Sequence, residues 1–176
     1  VRKLNLDELK SGMPGLSEAV GCFILEVAIV CLTVNGHEPG VKLKVSGKYS
    51  ETFEVVWSDR LDEQTLRSWK DMNGATEYGA TALALLLVAI LTEFAAFARA
   101  PQMSSADYVL VKKAANDGIP AAYLEVSGIL KEAQGNTLQM RLSEKKRRQK
   151  ELRDENFPVL IVIAEFSVPK AIIAKS

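Results

Sequence analysis

One histidine, two cysteines and a low aromatic content of 7% remove several classes of chemistry from this 176-residue chain. A lone His37 cannot build a histidine-rich metal site or a Ser-His-Asp triad, and it follows Asn35 and Gly36, a pair that closes a helix, as a loop residue does. Cys22 and Cys31 lack zinc spacing. Nine positions apart on what reads as one helix, they are separated by about 13 Å, beyond the reach of a disulfide, and are expected to be free core thiols. With no secretory pattern in the sequence, they give the expectation of a reducing, cytoplasmic setting. There is no Walker-type or G-x-G-x-x-G loop, so a nucleotide cofactor is not expected. The most apolar runs, GCFILEVAIVCLTV and ATALALLLVAIL, fall short of the roughly 20 residues of a spanning helix. Glu26 and Glu93 interrupt or close them, so they read as buried helices with no membrane partner. Lys plus Arg and Asp plus Glu each number 22, and a net charge of zero excludes a uniformly basic coat. Internal repeats, low-complexity tracts and linkers are also missing, which predicts a single domain over residues 1–176.

What is present suits a packed α/β core. An apolar share of 48% beside 25% charged residues can bury enough surface to fold without disulfide or metal staples. Residues 1–73 read helix, hairpin, helix. Ser17 is placed to cap a helix that ends at Asn35 and Gly36. VKLKVSGKYSETFEVVW alternates apolar and polar residues and turns near Gly47 and Lys48, predicting a two-stranded ribbon at a sheet edge or over one side of the core. DEQTLRSWKDM gives a short amphipathic helix with Leu66 and Trp69 inward. Residues 74–176 open on a long helix, ATEYGATALALLLVAILTEF. FAAFARA fits a helix tail or a strand, and the strand is favoured. ADYVLVKK and YLEVSGIL follow as strands around a loop marked by Asn116, Asp117, Gly118 and Pro120. A charged helix, NTLQMRLSEKKRRQKELRDEN, precedes PVLIVIAEFSV, whose unbroken apolar run predicts a central strand covered on both faces. AIIAK ends the chain as a short strand. The expected fold is a central mixed sheet of four or five strands flanked by helices, with the N-terminal helix and ribbon packed on it.

Acids stand inside two of these apolar strands. Asp107 shares a period-two face with Val109 and Val111, and Glu125 shares one with Tyr123 and Ser127. Ionised carboxylates in a dry interior are costly, so the two are expected to meet and share a cation, a proton or a basic group. Each acid also has a purely structural role open to it. Glu77 would suit the first turn of its helix through the macrodipole, Asp107 could cap a turn, and Glu125 could pair with Arg99 or a lysine. Glu77 in ATEYGA, Asp107 in SADYVL and Glu125 in LEVSG, in the order helix, strand, acid strand, acid strand, helix, strand, resemble the acids of the PD-(D/E)xK, restriction-endonuclease-like superfamily. With LEVSGI and the strand VIAEF, residues 74–168 are more narrowly similar to a group of small uncharacterised bacterial proteins in it.

That resemblance implies a nuclease-like core carrying an N-terminal helix and β-hairpin. It implies Mg²⁺ or Mn²⁺ held by Asp107, Glu125 and the Val126 carbonyl, with Glu77 orienting or completing the surroundings. The superfamily places lysine where Ser127 stands. A hydroxyl cannot replace an ammonium, so catalysis would draw its cation from elsewhere, with Lys112, Lys113 and Lys131 as candidates. Tyr123 and Ser127 read as hydrogen-bonding neighbours rather than nucleophiles.

The run RLSEKKRRQKELR sets Arg141, Lys145, Lys146, Arg147, Arg148, Lys150 and Arg153 against Glu144 and Glu151. At helical spacing it reads either as a cationic stripe for nucleic-acid phosphates, chiefly through Arg141, Lys145, Lys146 and Arg148, or as a solvated helix laced with Glu-Lys pairs. Few aromatics interleave with it, so stacking on single strands is not expected. Two functions remain open. One is a metal-dependent nuclease. The other is a catalytically inactive relative acting as a homo-oligomeric binding or interaction module, for which the apolar N-terminal helix and ribbon supply spare surface.

Overall fold

The computed structural model describes residues 1–102, 104–115, 118–152 and 157–176, with only the backbone of 151 and 152. Asn116 and Asp117 of the predicted loop, Arg153 and the Glu151 side chain lie outside the described residues. The chain forms a mixed α/β structure around one eight-stranded sheet. Its strands are β1 (Arg2–Asn5), β2 (Val41–Gly47), β3 (Glu51–Val56), β4 (Phe94–Arg99), β5 (Tyr108–Lys112), β6 (Pro120–Ile129), β7 (Val159–Glu165) and β8 (Lys170–Lys175). The helices are α1 (Glu18–Val34), α2 (Glu63–Ser68), α3 (Met72–Leu91) and α4 (Leu138–Leu152), and a 3₁₀ turn covers Leu6–Ser11. Strand order across the sheet is β1-β3-β2-β8-β7-β6-β5-β4.

The sheet is larger than the expected four or five strands because the ribbon β2–β3 joins it instead of covering it. β2 runs parallel to β8, and β1 runs parallel to β3 on the outer side. The ribbon therefore lies within the sheet, and β1 takes the edge position expected for it. The alternation that suggested one solvated face holds: Leu43, Val45, Phe53 and Val55 are buried, while Lys42 and Lys44 face solvent. FAAFARA is a strand, paired antiparallel with β5.

Two layers of helix sandwich the sheet. α1 and α3 pack together and against Leu124, Val126, Leu160, Val162 and Ala164. On the opposite face, Leu138 and Leu142 of α4 meet Ile129, Ile161, Ile163 and Ile172. Alternate residues of β7 thus enter different cores, and all seven are buried, as its continuous apolar run predicts.

Local signals set most helix ends. Ser17 Oγ accepts from the Val20 amide, and Asn35 closes α1 ahead of Gly36 at φ 79°. Asp71 caps α3 by accepting from the Asn73 amide. This cap sits earlier than expected, so Glu77 lies in the second turn, and the first-turn macrodipole argument for it does not apply.

Two inward placements fail: Leu66 is exposed, because α2 buries none of its residues, and Cys22 faces solvent while Cys31 alone of the two thiols is in the core. Trp69, just past α2, is half-buried and packs against the core as expected. His37 does more than sit in a loop: its Nε2 lies 3.0 Å from the carbonyl oxygens of both Phe166 and Ser167, tying the end of α1 to the β7–β8 turn.

Candidate functional site on the open edge of β6

β5 and β6 pair antiparallel, with Tyr108 opposite Leu124, and β5 begins at Tyr108. β6 continues to Ile129, still paired with β7 on its other side. Its last five residues therefore present an unpaired row of backbone groups on the β5 side. Neighbouring residues of a strand direct their amides to opposite edges, and Leu124 accepts at this edge from the Asp107 amide at 2.8 Å. Val126 and Gly128, two and four residues on, turn their N–H and C=O groups the same way.

Two acids complete that edge. Asp107, in the bend just before β5, accepts from the Val126 amide through Oδ2 at 2.8 Å. Glu77, descending from α3, accepts from the Gly128 amide through Oε2 at 3.3 Å, and its Oε1 lies 3.5 Å from Ser127 Oγ. α3 comes this near because Gly128 has no side chain: a Cβ there would stand 2.3 Å from the Thr76 carbonyl oxygen.

The odd-numbered residues of β6 face α4. Glu125 is buried at 8% exposure, and its Oε1 forms a short ion pair with Lys145 Nζ. Arg141 donates to Ser127 Oγ at 3.3 Å through Nη1 and to Asn136 Oδ1 at 2.8 Å through Nε. Gln149, also buried, donates to the Ser105 carbonyl at 2.6 Å and accepts from Ser105 Oγ at 2.9 Å. The helix thereby fixes the bend that carries Asp107.

Loss of water pushes the Glu77 and Glu125 carboxyls up: Glu125 is buried outright, whereas Glu77 is an exposed residue whose carboxyl lies close against β6, so its rise is the more weakened by solvent. For Glu77 the Gly128 amide, Lys145 and Arg141 oppose that rise, and Asp107 adds to it. For Glu125 the hydrogen bond and charge of Lys145 oppose it, and Asp107 again adds to it. Asp107 thus repels both other acids electrostatically, which places all three in one field. Solvent reaches Glu77 from two clefts that it divides, so its charge is the more screened. One cleft, of about 490 Å³, is lined by Phe23, Tyr78, Arg99, Asp107 and Tyr108. The other, of about 480 Å³, is lined by Lys131, Asn136, Gly128 and Arg141.

Four residues singled out from sequence, Glu77, Asp107, Glu125 and Ser127, thus meet along residues 125–128 of β6. The partner of Glu125 is a lysine, Lys145, and not Arg99, whose guanidinium stacks 4.7 Å from the Tyr108 ring centroid. Of the cations expected near Ser127, Lys131 lines the cleft beside Glu77 and Gly128, but the one that reaches the Ser127 hydroxyl is Arg141. Lys112 and Lys113 are exposed at the far end of β5, and Lys113 Nζ donates to the Ala89 carbonyl at 2.9 Å. The basic helix divides as well. Arg141 and Lys145 turn into the site, Lys146 is half-buried, and Arg147, Arg148 and Lys150 are exposed. Phe23 reaches the site from a distant part of the chain, while Tyr78 and Gln149 stand beside Glu77 and Arg148 without any pattern of their own to mark them.

Among the described residues, no group of three or more His, Cys, Asp or Glu is arranged to hold a metal by itself. The oxygen donors closest to such a role are the Asp107 and Glu125 carboxylates and the Val126 carbonyl, which turns toward the same edge as Asp107. Compared with protein-family models, with curated proteins and with solved structures, the chain finds no match.

Proposed function

We propose that the protein is a nuclease-like member of the restriction-endonuclease-like class, binding nucleic acid and hydrolysing phosphodiesters beside the open edge of β6 with Mg²⁺ or Mn²⁺. The observation that carries this reading is the meeting, on four consecutive strand residues, of acids from three separate elements with two bases from α4. The element order supports it: α3, the antiparallel β4–β5–β6, then α4 and β7 parallel to β6, which is the order of the resemblance.

The donor set suits a hard cation. Mg²⁺ keeps several waters and takes one or two carboxylates plus phosphate oxygens, so Asp107, Glu125 and the Val126 carbonyl suffice without a third acid. Such an ion neutralises charge on the scissile phosphate and lowers the pKa of a bound water. The chain's own groups do the rest. With such an ion bound, Glu125 would hold it through a carboxylate oxygen, and Lys145, paired with the same carboxylate, would supply the positive charge beside the phosphate that Ser127 cannot. Arg141, held by Asn136, adds a second fixed cation. Glu77 keeps the Gly128 amide and Ser127 in place. Lys146 and Arg148 extend the positive surface along α4.

Incubation with plasmid and single-stranded DNA in Mn²⁺ tests this reading against Glu125→Gln and Lys145→Met. Cleavage by the wild type is expected, falling to background in Glu125→Gln and about a hundredfold in Lys145→Met. Equal cleavage by all three, or none by the wild type, removes the catalytic claim.

A second reading rests on the Lys145–Glu125 pair itself. A lysine already seated on the acid neutralises it without metal, as an inactive relative serving as an oligomeric binding module would require. Absent cleavage together with a defined oligomer in light scattering favours that reading, and wild-type cleavage ends it.

A further inference from the structure

A row of rings borders the cleft on the Asp107 side of Glu77. Trp69 is fixed by its Nε1, which donates to Glu26 Oε1 at 2.7 Å, and its ring centroid lies 5.3 Å from that of Phe23. Phe23 in turn meets Tyr78 edge to face, with centroids 5.0 Å apart and planes at 77°. Phe23 remains 40% exposed and Tyr78 49% exposed. Large rings left open to water cost free energy, and an edge-to-face pair leaves ring faces uncovered by its partner.

The surrounding charge selects the occupant. Arg99 shares the cleft with the two rings, and Lys131 and Arg141 line the cleft beyond Glu77. A path from Arg99 past Glu77 to Arg141 therefore offers cations on both sides of the acids and ring faces on one. An apolar peptide would leave those cations unused. A duplex would leave the rings unused, since its bases already cover one another's faces.

We infer, resting on the nuclease reading above, that the polymer bound is single-stranded nucleic acid, one unpaired base stacking on Tyr78 and Phe23 while its phosphates follow Arg99 and Arg141. Base–aromatic stacking tolerates any base, so this site selects strandedness rather than sequence. α1 thereby takes part in substrate choice, although it supplies none of the acids.

Fluorescence anisotropy with labelled strands, in Ca²⁺ instead of Mn²⁺, tests the inference. The protein should bind a single strand at least tenfold more tightly than the blunt duplex of the same sequence. Tyr78→Ala should weaken single-strand binding about tenfold and leave duplex binding unchanged, while Tyr78→Phe, which keeps the ring, should bind as the wild type does. Phe23→Leu provides an independent variant should Tyr78→Ala melt early. Equal affinity for the two polymers, or single-strand affinity unchanged in both ring variants, overturns the inference and leaves the nuclease reading standing. Binding of neither polymer overturns both.

Discussion

Charge gathers at two places in this sheet, and the two are built differently. Around β1, β2 and β3, each acid meets a base in open solvent: Arg2 with Glu51 at 3.4 Å, Lys42 with Glu54 at 2.7 Å, and Lys10 with Asp59 at 2.7 Å. At the open edge of β6, three acids and two bases share one stretch of backbone, and Glu125 and Lys145 keep only 10% and 16% of their side-chain surface. The outer pairs behave as solvated couples do, and Lys42 holds the Glu54 carboxyl below the ordinary range. Glu125, which is buried, moves the other way because desolvation outweighs Lys145, and the carboxyl of the exposed Glu77, crowded against β6, moves in the same direction. An ion pair alone therefore says little about function. Burial that a neighbouring base only partly offsets is what separates the two regions.

The largest effect that sharpens this contrast should come from Lys145. Lys145→Met leaves Glu125 buried and unpaired, and urea denaturation should register a loss of about 3 kcal/mol, mostly recovered in the double variant Glu125→Leu/Lys145→Met. A loss unrelieved in the double variant would mean that the pair matters through packing alone.

A smaller, pH-dependent effect belongs to Glu77. Its folded-state pKa is raised, so its favourable contribution is complete below the ordinary carboxylate range and disappears as pH rises through the raised value. Glu77→Gln should therefore melt slightly higher than the wild type at neutral pH, with the difference closing as pH falls through the carboxylate range. A difference that widens on acidification would reverse the assigned direction. Smallest of all is Lys42→Ala, for which the urea midpoint should not move measurably, because Lys42 is half exposed and Glu54 keeps a third of its surface in water. A shift there comparable to that of Lys145→Met would erase the distinction between the two regions.

Sequence patterns reached the parts that are local. Ser17 announced α1, the apolar run of β7 announced a strand covered on both faces, and Glu125 inside an apolar strand announced a buried acid in need of a base. The full sheet lay beyond them. β1 is four residues long and pairs with a strand some fifty positions away, and β2 reaches β8 across most of the chain, so neither contact leaves a periodicity to detect. The base on Glu125 was hidden for a related reason. Lys145 looks like its basic neighbours in the text, and only the rotation of α4 over β6 sets Arg141 and Lys145 inward while Arg147, Arg148 and Lys150 face water. Glu77 was displaced by a cap: Asp71 starts α3 early enough to carry the acid past the helix's first turn.

The overhang of β6 beyond β5 has a consequence for solubility. A bare run of strand amides invites another chain to dock in register, the usual first step toward fibrous assembly. Asp107 and Glu77 occupy the Val126 and Gly128 amides with carboxylates, so an incoming strand would have to displace charged groups. Two carboxylates of the candidate site thus also guard this strand edge, and neutralising both at once should favour self-association.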